Sequence, residues 1–246
     1  MQSIEVNKLI IRDFYRRVIA NGDLDYANQI IADDYIQHSP AVKPGKAGLM
    51  EALRYMSQMP KPASPAKPFM RLIAEGDYVV TNLSFTMGSK LKAVVDLFRV
   101  QNGLMIEHWD AVEDQPETML NGNLMMDGAI EIKDIGLTAE NKATAGAFFQ
   151  RILVNRELEL LPNYVASDLI QHQPEIANGL DGLNQYLGQK ARQLAFQKIH
   201  RIIGEGNFVV IQSEGQLDQK PYAFYHIFRL HEHKIAEQWT VKQMMP

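Results

Sequence analysis

The 246-residue sequence contains no cysteine, which excludes disulfide bonds, thiolate nucleophiles and thiolate metal sites. It has no run of 18 apolar residues, so no segment is predicted to span a membrane. The net charge is −4 with the two signs interspersed, and the lack of a basic stripe argues against a nucleic-acid partner. Phosphate-binding loops, dinucleotide fingerprints and nucleophile elbows are also missing. The charged, amphipathic start does not resemble a signal peptide, so we expect a cytoplasmic protein.

What the chain does contain is an internal repeat. The matching pairs are YIQHSP (35–40) with LIQHQP (169–174), DFYRRVIAN (13–21) with AFFQRILVN (147–155), AEGDYVV (74–80) with GEGNFVV (204–210), and EHWD (107–110) with EQWT (237–240). The offset falls from 134 to 130 residues within the proline-rich run 60–68, where a surface loop tolerates a deletion at little cost. These collinear matches predict two copies of one domain, at 1–118 and 137–246, joined by a linker at 119–136.

Each copy is predicted to begin with helices and to end with strands. In the first copy the apolar spacing indicates three helices and then four strands. These are helices over 4–20, from 23 to about 32 and from about 48 to 57, and strands over 68–75, 77–87, 91–101 and 104–113. Helices followed by an antiparallel meander are typical of an α+β domain. A strongly curved sheet around these helices would enclose a pocket.

The last two strands of each copy contain residues that recur and residues that change. Alternate residues of a strand face the same side, so His108 and Asp110 share one face and Glu107 and Trp109 share the other. Phe98, Arg99, Glu107 and Trp109 recur as Phe228, Arg229, Glu237 and Trp239, whereas Asp96, His108 and Asp110 become His226, Gln238 and Thr240. The recurring set looks structural, and the changed set is the titratable one. This is the pattern expected if one copy has lost a proton-transfer site.

An alternative interpretation is that Asp96, His108 and Asp110 are exposed polar positions, which also drift between duplicated copies. Against it, Asp96 lies within the apolar run AVVDLFRV (93–100). A carboxylate in such a run needs a partner or a raised pKa.

Other polar residues allow two interpretations each. His38 and His172 occupy equivalent places in the two copies, and each suits either a loop-orienting role or a place in a pocket. Tyr35, which is Leu169 in the second copy, would either add a hydroxyl to the first site or belong to the core.

Two arrangements resemble metal sites without requiring a metal. The HEH segment at 231–233 aligns with the turn QNG at 101–103, which favours a solvated hairpin turn. A two-histidine, one-carboxylate set is available in principle, but its spacing does not demand one; its members would be His38, Asp96, His108 and Asp110. We therefore predict no metal site.

These motifs resemble those of the SnoaL-like polyketide cyclase family, within the nuclear transport factor 2-like superfamily. The resemblance rests on YIQHSP (35–40), EGDYVV (75–80) and VVDLFRVQNGLMIEHWDAVEDQP (94–116), and it covers the first copy almost end to end. It implies a cone-shaped domain in which three helices pack on a curved antiparallel sheet. The second copy looks like a degenerate member of the same family, so the chain would be a tandem duplication.

The resemblance also implies a site and a chemistry. The pocket of the first copy would be lined by Asp96, His108, Asp110 and His38, and the family closes rings by intramolecular aldol chemistry without cofactor or metal. Either Asp110 or Asp96 would act as base with His108 as its partner, and His38 would polarise the substrate carbonyl. Further ligand contacts are expected from Tyr35, Phe98, His172 and His226.

Two functions remain open at this point. The first is a cofactor-independent acid–base enzyme, an aldol-type cyclase, lyase or isomerase, acting on a small carbonyl or polyketide-like compound in the N-terminal pocket. The second is a non-catalytic module that binds small apolar ligands, with its two copies forming an intrachain pseudo-dimer and a further homodimer compatible with it. Neither function predicts a nucleic-acid or membrane partner.

Overall fold

The computed structural model describes residues 3–59, 70–191 and 193–245, and the chain divides into two compact units. One unit comprises Met1–Phe85 and Val95–Asp110, and the other comprises Thr86–Val94 and Ala111–Pro246. The proline-rich run in which the repeat offset changes lies outside the described residues. The domain boundaries expected at 118 and 137 stay a prediction.

Both copies begin with helices, as the apolar spacing predicts. They are α1 (Ile4–Asp13), α2 (Leu24–Ile30) and α3 (Gly45–Ser57) in the first copy, and α4 (Thr138–Phe148), α5 (Leu161–Tyr164) and α6 (Gly179–Gln189) in the second. Side chains cap the first two: Ser3 accepts the Val6 N–H, and Asp23 accepts the Tyr26 N–H. Among the described residues, no helix is both long and apolar enough to cross a bilayer.

A wider helical turn follows the first helix of each copy. The chain continues beyond α1 as a π-helix over Phe14–Ile19 and beyond α4 as a π-helix over Phe149–Val154. Such turns are rare, and they change the direction in which side chains leave a helix. Because both copies have one, the turn belongs to the fold rather than to the chemistry of one copy.

The two copies contain sheets of the same topology. The first sheet consists of β1 (Ile31–Gln37), β2 (Arg71–Glu75), β3 (Tyr78–Met87), β4 (Lys90–Gln101) and β5 (Leu104–Asp114), in the order β1-β5-β4-β3-β2. The second consists of β6 (Val165–Gln171), β7 (Leu194–Glu205), β8 (Phe208–Leu217), β9 (Lys220–His231) and β10 (Lys234–Met244), in the order β6-β10-β9-β8-β7. The predicted duplicated α+β fold is confirmed.

The sequence did not predict the edge strands β1 and β6. Strand β1 pairs with β5 in the parallel direction, with Gln37 opposite His108, and β6 pairs with β10 in the same way. The alternation of β1 is hidden because its register shifts between Ile31 and Ile36 and because Asp33 and Asp34 lie exposed in its middle. This strand brings Gln37 to the site described below.

Recurring glycines shape the turn that precedes α3 and α6. Gly45 and Gly179 have φ of +74° and +84°, a left-handed conformation that side chains disfavour. A Cβ on Gly48 would lie 2.0 Å from the Lys43 carbonyl oxygen, which no side chain tolerates. The repeat therefore keeps glycine where the backbone of this turn leaves no alternative.

The helices cover one face of each sheet, which we call the inner face; the opposite side is the outer face. In the first copy Phe14 and Tyr15 pack against Phe98 of β4, with ring centroids 5.9 and 6.2 Å apart. In the second copy Phe148 packs against Phe228 at 5.5 Å. Each copy thus has its own core between helices and inner face.

Candidate active site

Asp96 of β4 lies buried on the inner face and is bonded by three side chains. One carboxylate oxygen accepts a hydrogen bond from the Tyr15 hydroxyl and a longer one, at 3.5 Å, from Thr81 Oγ1. The other oxygen lies 3.1 Å from His108 Nε2. The Tyr15 hydroxyl is also 2.9 Å from Thr81 Oγ1. The carboxylate therefore has the partners that its apolar surroundings require.

His108 lies between Asp96 and Gln37 and stacks on Phe98, with ring centroids 4.6 Å apart. Its Nδ1 is 3.2 Å from Gln37 Oε1, the oxygen that also accepts the Ser39 N–H at 3.0 Å. That backbone donor identifies the amide oxygen of Gln37, so both ring nitrogens of His108 face acceptors.

Asp110 follows His108 by two residues on β5 and faces the same side. Burial raises the pKa of its carboxyl, and the nearby Asp96 raises the pKa further, while His108 and a hydrogen bond from Ser39 oppose both effects. A carboxyl with a raised pKa keeps its proton to higher pH and is a stronger base once it is ionised.

Two tyrosine hydroxyls complete the cluster. Burial and the charge of Asp96 raise the pKa of Tyr15, and burial and the charge of Asp110 raise the pKa of Tyr35. The hydroxyl of Tyr35 accepts a hydrogen bond from Gln37 Nε2 at 3.2 Å. The structure thus brings Tyr35 into the same polar network as His108.

The structure does not bring His38 to this network. Its ring stacks on Trp109 with centroids 4.7 Å apart and planes at 4°, and its Nε2 lies 2.9 Å from Glu107 Oε1. Arg99 donates to the other oxygen of Glu107 at 2.8 Å. Because Glu107 and Trp109 alternate with His108 along β5, His38 lies on the outer face.

His172 lies in the equivalent place of the second copy. It stacks on Trp239 on the outer face of the second sheet, and its Nε2 lies 2.9 Å from Glu237 Oε1. The segment predicted as a linker covers it, since Leu124 O lies 2.7 Å from its Nδ1 and Asp127 O accepts the Trp239 indole N–H at 2.8 Å. A buried, fully bonded histidine here has no surface left for a ligand.

His226 takes the place of Asp96 on the inner face of the second copy. Its Nδ1 lies 3.0 Å from Thr240 Oγ1, and phenyl rings surround it; these rings belong to Phe149, Phe196, Phe224 and Phe228. Burial lowers its pKa to about 3, so the ring is neutral. The equivalent place in the two copies therefore holds groups of different chemistry.

A family model described as a SnoaL-like domain matches residues 11–108, a range that contains Tyr15, Asp96 and His108. The N-terminal copy is a SnoaL-like domain. Asp110 lies just beyond the matched range of this SnoaL-like domain. No curated protein matches the chain.

Solved structures with a similar fold each align with less than half of the chain. They include a SnoaL-like polyketide cyclase from Agrobacterium tumefaciens (13% identity, 42% of this chain and 91% of that chain, TM-score 0.36). An LEH-like epoxide hydrolase from Mycobacterium tuberculosis is 18% identical over 43% of this chain and 84% of its own, with a TM-score of 0.37. An NTF-2-like protein from Burkholderia xenovorans is 21% identical over 46% of this chain and 88% of its own, with a TM-score of 0.38.

Sequence reasoning missed Gln37 and Ser39, and it also missed two members of the network in the SnoaL-like domain that the second copy lacks, Tyr15 and Thr81. The alignment of the copies contains the signal that would have found them. Tyr15 lies over Phe149 and Thr81 lies over Ile211, so both positions lose an oxygen in the copy that lacks Asp96.

The polar groups of the SnoaL-like domain lie together on its inner face. Within the described ranges, no group of three or more histidine and acidic side chains is placed to hold a metal ion. The inner face instead offers one carboxyl of raised pKa, one imidazole and several hydroxyls beside apolar rings.

Proposed function

We propose that the SnoaL-like domain is an acid–base enzyme, an aldol-type cyclase, lyase or isomerase, acting on a small carbonyl compound. The observation that carries the proposal is the inner-face cluster of Asp96, His108 and Asp110, which is replaced as a whole in the second copy. Groups that exchange protons with a substrate have to lie close together in a partly dry place, and these do.

The contacts favour Asp110 rather than Asp96 as the base. The oxygens of Asp96 already face Tyr15, Thr81 and His108, so Asp96 is placed to orient the imidazole. Asp110 has a raised pKa and lies beside the imidazole on the same strand. A base of raised pKa removes a proton from carbon more readily than an ordinary aspartate, and such a step contributes roughly 10²–10⁴-fold.

In the proposed reaction Asp110 removes a proton from the carbon next to a substrate carbonyl, which leaves an enolate. His108 Nδ1, the ring nitrogen not facing Asp96, donates to the developing oxyanion in place of its bond to Gln37. In an aldol closure the enolate carbon attacks a second carbonyl carbon, and the resulting alkoxide takes up the proton that Asp110 holds. Return of the proton from Asp110 restores the enzyme.

The test measures proton exchange, because the natural substrate is unidentified. Cyclic ketones and β-diketones are incubated with the chain in D₂O, and deuterium entry at the α-carbon is followed by NMR. We expect exchange above the buffer rate, slowed by about 10²-fold or more in Asp110→Asn. Asp34→Asn, which removes an exposed carboxylate of β1, is the matched control and should exchange like the wild type.

The non-catalytic alternative makes a different prediction in the same experiment. A binding module in an intrachain pseudo-dimer would broaden the ketone signals without exchanging their α-protons, and binding would survive Asp110→Asn. Equal exchange rates in the wild type and in Asp110→Asn would contradict the assignment of Asp110 as base.

A further inference from the structure

A small cavity lies on the inner face of the second copy, where the SnoaL-like domain has its acid–base cluster. Its lining combines apolar side chains with polar ones; the apolar residues are Leu194, Phe196, Leu217 and Phe224, and the polar residues are Gln173, Tyr186, His226, Thr240 and Lys242. The cavity volume is 20 Å³, which is room for about one water-sized group. The site therefore accepts one polar atom at its inner end rather than a whole ring.

His226 supplies a polar atom that no other part of the described chain satisfies. The side chain is 2% exposed, and Nδ1 is bonded to Thr240, but Nε2 has no hydrogen-bond partner. In the first copy the hydroxyls of Tyr15 and Thr81 bond the residue at this position. Phenylalanine and isoleucine replace both in the second copy, so the partner of Nε2 has to come from beyond the described residues of the chain.

The chemistry of the cavity restricts what that partner is. Burial keeps the imidazole neutral, and the one cationic lining residue, Lys242, is paired with Glu113 and lies 3.9 Å from Glu175. No charge is therefore left over to attract an ion. The Thr240 hydroxyl either donates to Nδ1 or accepts from it, so Nε2 either donates or accepts. A hydroxyl group matches both states of the ring, and a carbonyl matches one.

We infer that the second copy binds a slim, uncharged molecule that ends in a hydroxyl or carbonyl group, with this oxygen hydrogen-bonded to His226 Nε2. The apolar body of the ligand lies along Phe196, Phe224 and Leu217 toward the open side of the cavity. This site is independent of the proposed chemistry of the first copy. In this assignment the first copy moves protons and the second copy binds a neutral ligand.

The test uses 1-butanol and 2-butanone as probes on the full chain. Side-chain ¹⁵N NMR follows His226, and ligand-observed NMR provides the affinity. We expect a saturable shift of the Nε2 signal and an affinity about tenfold lower in His226→Phe. His231→Phe is the matched control, because His231 lies exposed in the hairpin turn between β9 and β10.

A second variant guards against misfolding of His226→Phe. Phe149→Tyr introduces the residue that the first copy has at this place, so the fold accommodates it, and its hydroxyl competes for the space beside His226. We expect weaker probe binding in this variant. Binding that survives either substitution, or an Nε2 signal that shows only an exchanging water and no saturable shift with either probe, overturns the proposal.

Discussion

The outer faces of the two copies share one arrangement of four side chains. The histidine stacks on the tryptophan at 4.7 Å in the first copy and at 4.8 Å in the second, and the histidine–glutamate distance is 2.9 Å in both. The arginine–glutamate distances are 2.8 and 2.7 Å. These contacts connect the end of the edge strand to the two strands beside it. A geometry retained in both copies is one that the fold itself needs.

The inner faces differ at six positions of the polar network, whereas Gln37 recurs as Gln171. The residues Tyr15, Tyr35, Thr81, Asp96, His108 and Asp110 correspond to Phe149, Leu169, Ile211, His226, Gln238 and Thr240. Hydroxyls and acids disappear together, although the strands that carry them keep their order. The comparison teaches that the fold does not require these groups, so their presence in the first copy calls for a functional reason.

The largest expected effect is on α-proton exchange, and it comes from replacing a residue of the first copy by its counterpart in the second. His108→Gln introduces the residue found at 238, which fits the strand but has no ring N–H to donate to the developing oxyanion. We expect α-proton exchange to fall by about 10²–10⁴-fold. The free energy of unfolding should change by less than about 1 kcal/mol, because the fold already accommodates glutamine there. A large loss of stability without loss of exchange would break the comparison.

A comparable effect, now on the free energy of unfolding, is expected from breaking the shared outer-face arrangement in the second copy, where it is more buried. Glu237→Ala leaves Arg229 and His172 without their carboxylate, and the Glu237 side chain is only 2% exposed. Removing one partner of a buried ion pair costs about 3–5 kcal/mol. Glu107→Ala should cost less, because His38 and Arg99 are 39% and 33% exposed and water can replace the lost contact.

Denaturant unfolding measures both losses, since each copy contains one tryptophan whose fluorescence reports on it. Equal losses in Glu237→Ala and Glu107→Ala would show that burial does not distinguish the two arrangements.

A smaller effect is expected for Tyr15→Phe, which again introduces a residue of the second copy. The Asp96 carboxylate loses one donor but keeps Thr81 and His108. A hydrogen bond to a charged group contributes about 1.5–3 kcal/mol, and we expect a loss at the lower end of that range. The imidazole signals of His108 in NMR spectra should shift as well, because its carboxylate partner is less firmly held. Unchanged stability and unchanged imidazole signals would show that Tyr15 does not support the contact between Asp96 and His108.

The smallest expected effect is a pH dependence of stability that comes from Asp110. Because the pKa is raised in the folded state, the folded chain binds more protons than the unfolded chain in the interval above the unfolded pKa. The stabilisation is complete below the unfolded pKa and is lost as the pH rises through the folded pKa. Asp110→Asn removes this dependence, so it should gain stability relative to the wild type as the pH rises from about 4, near the unfolded aspartate pKa. Parallel stability curves for the two proteins would contradict the raised pKa.

Several features of the site could be predicted from the sequence because they are local. Two-residue alternation places His108 and Asp110 on one face and Glu107 and Trp109 on the other, and the structure agrees. The apolar surroundings of Asp96 predict that it has partners, and it has three. The face occupied by His38 and His172 could not be predicted, because both follow an edge strand whose irregular register conceals its alternation.

The sequence by itself determined the duplication, the order of the helices and of the four strands that follow them, and the sorting of residues into recurring and changed sets. Only the tertiary structure decided which distant groups meet: Tyr15 reaches Thr81 across 66 positions, and His38 reaches Glu107 across 69. Periodicity is a property of neighbouring residues and describes one element at a time. Contacts between elements depend on the pairing of β1 with β5 and on the packing of helix on sheet, which no local pattern contains.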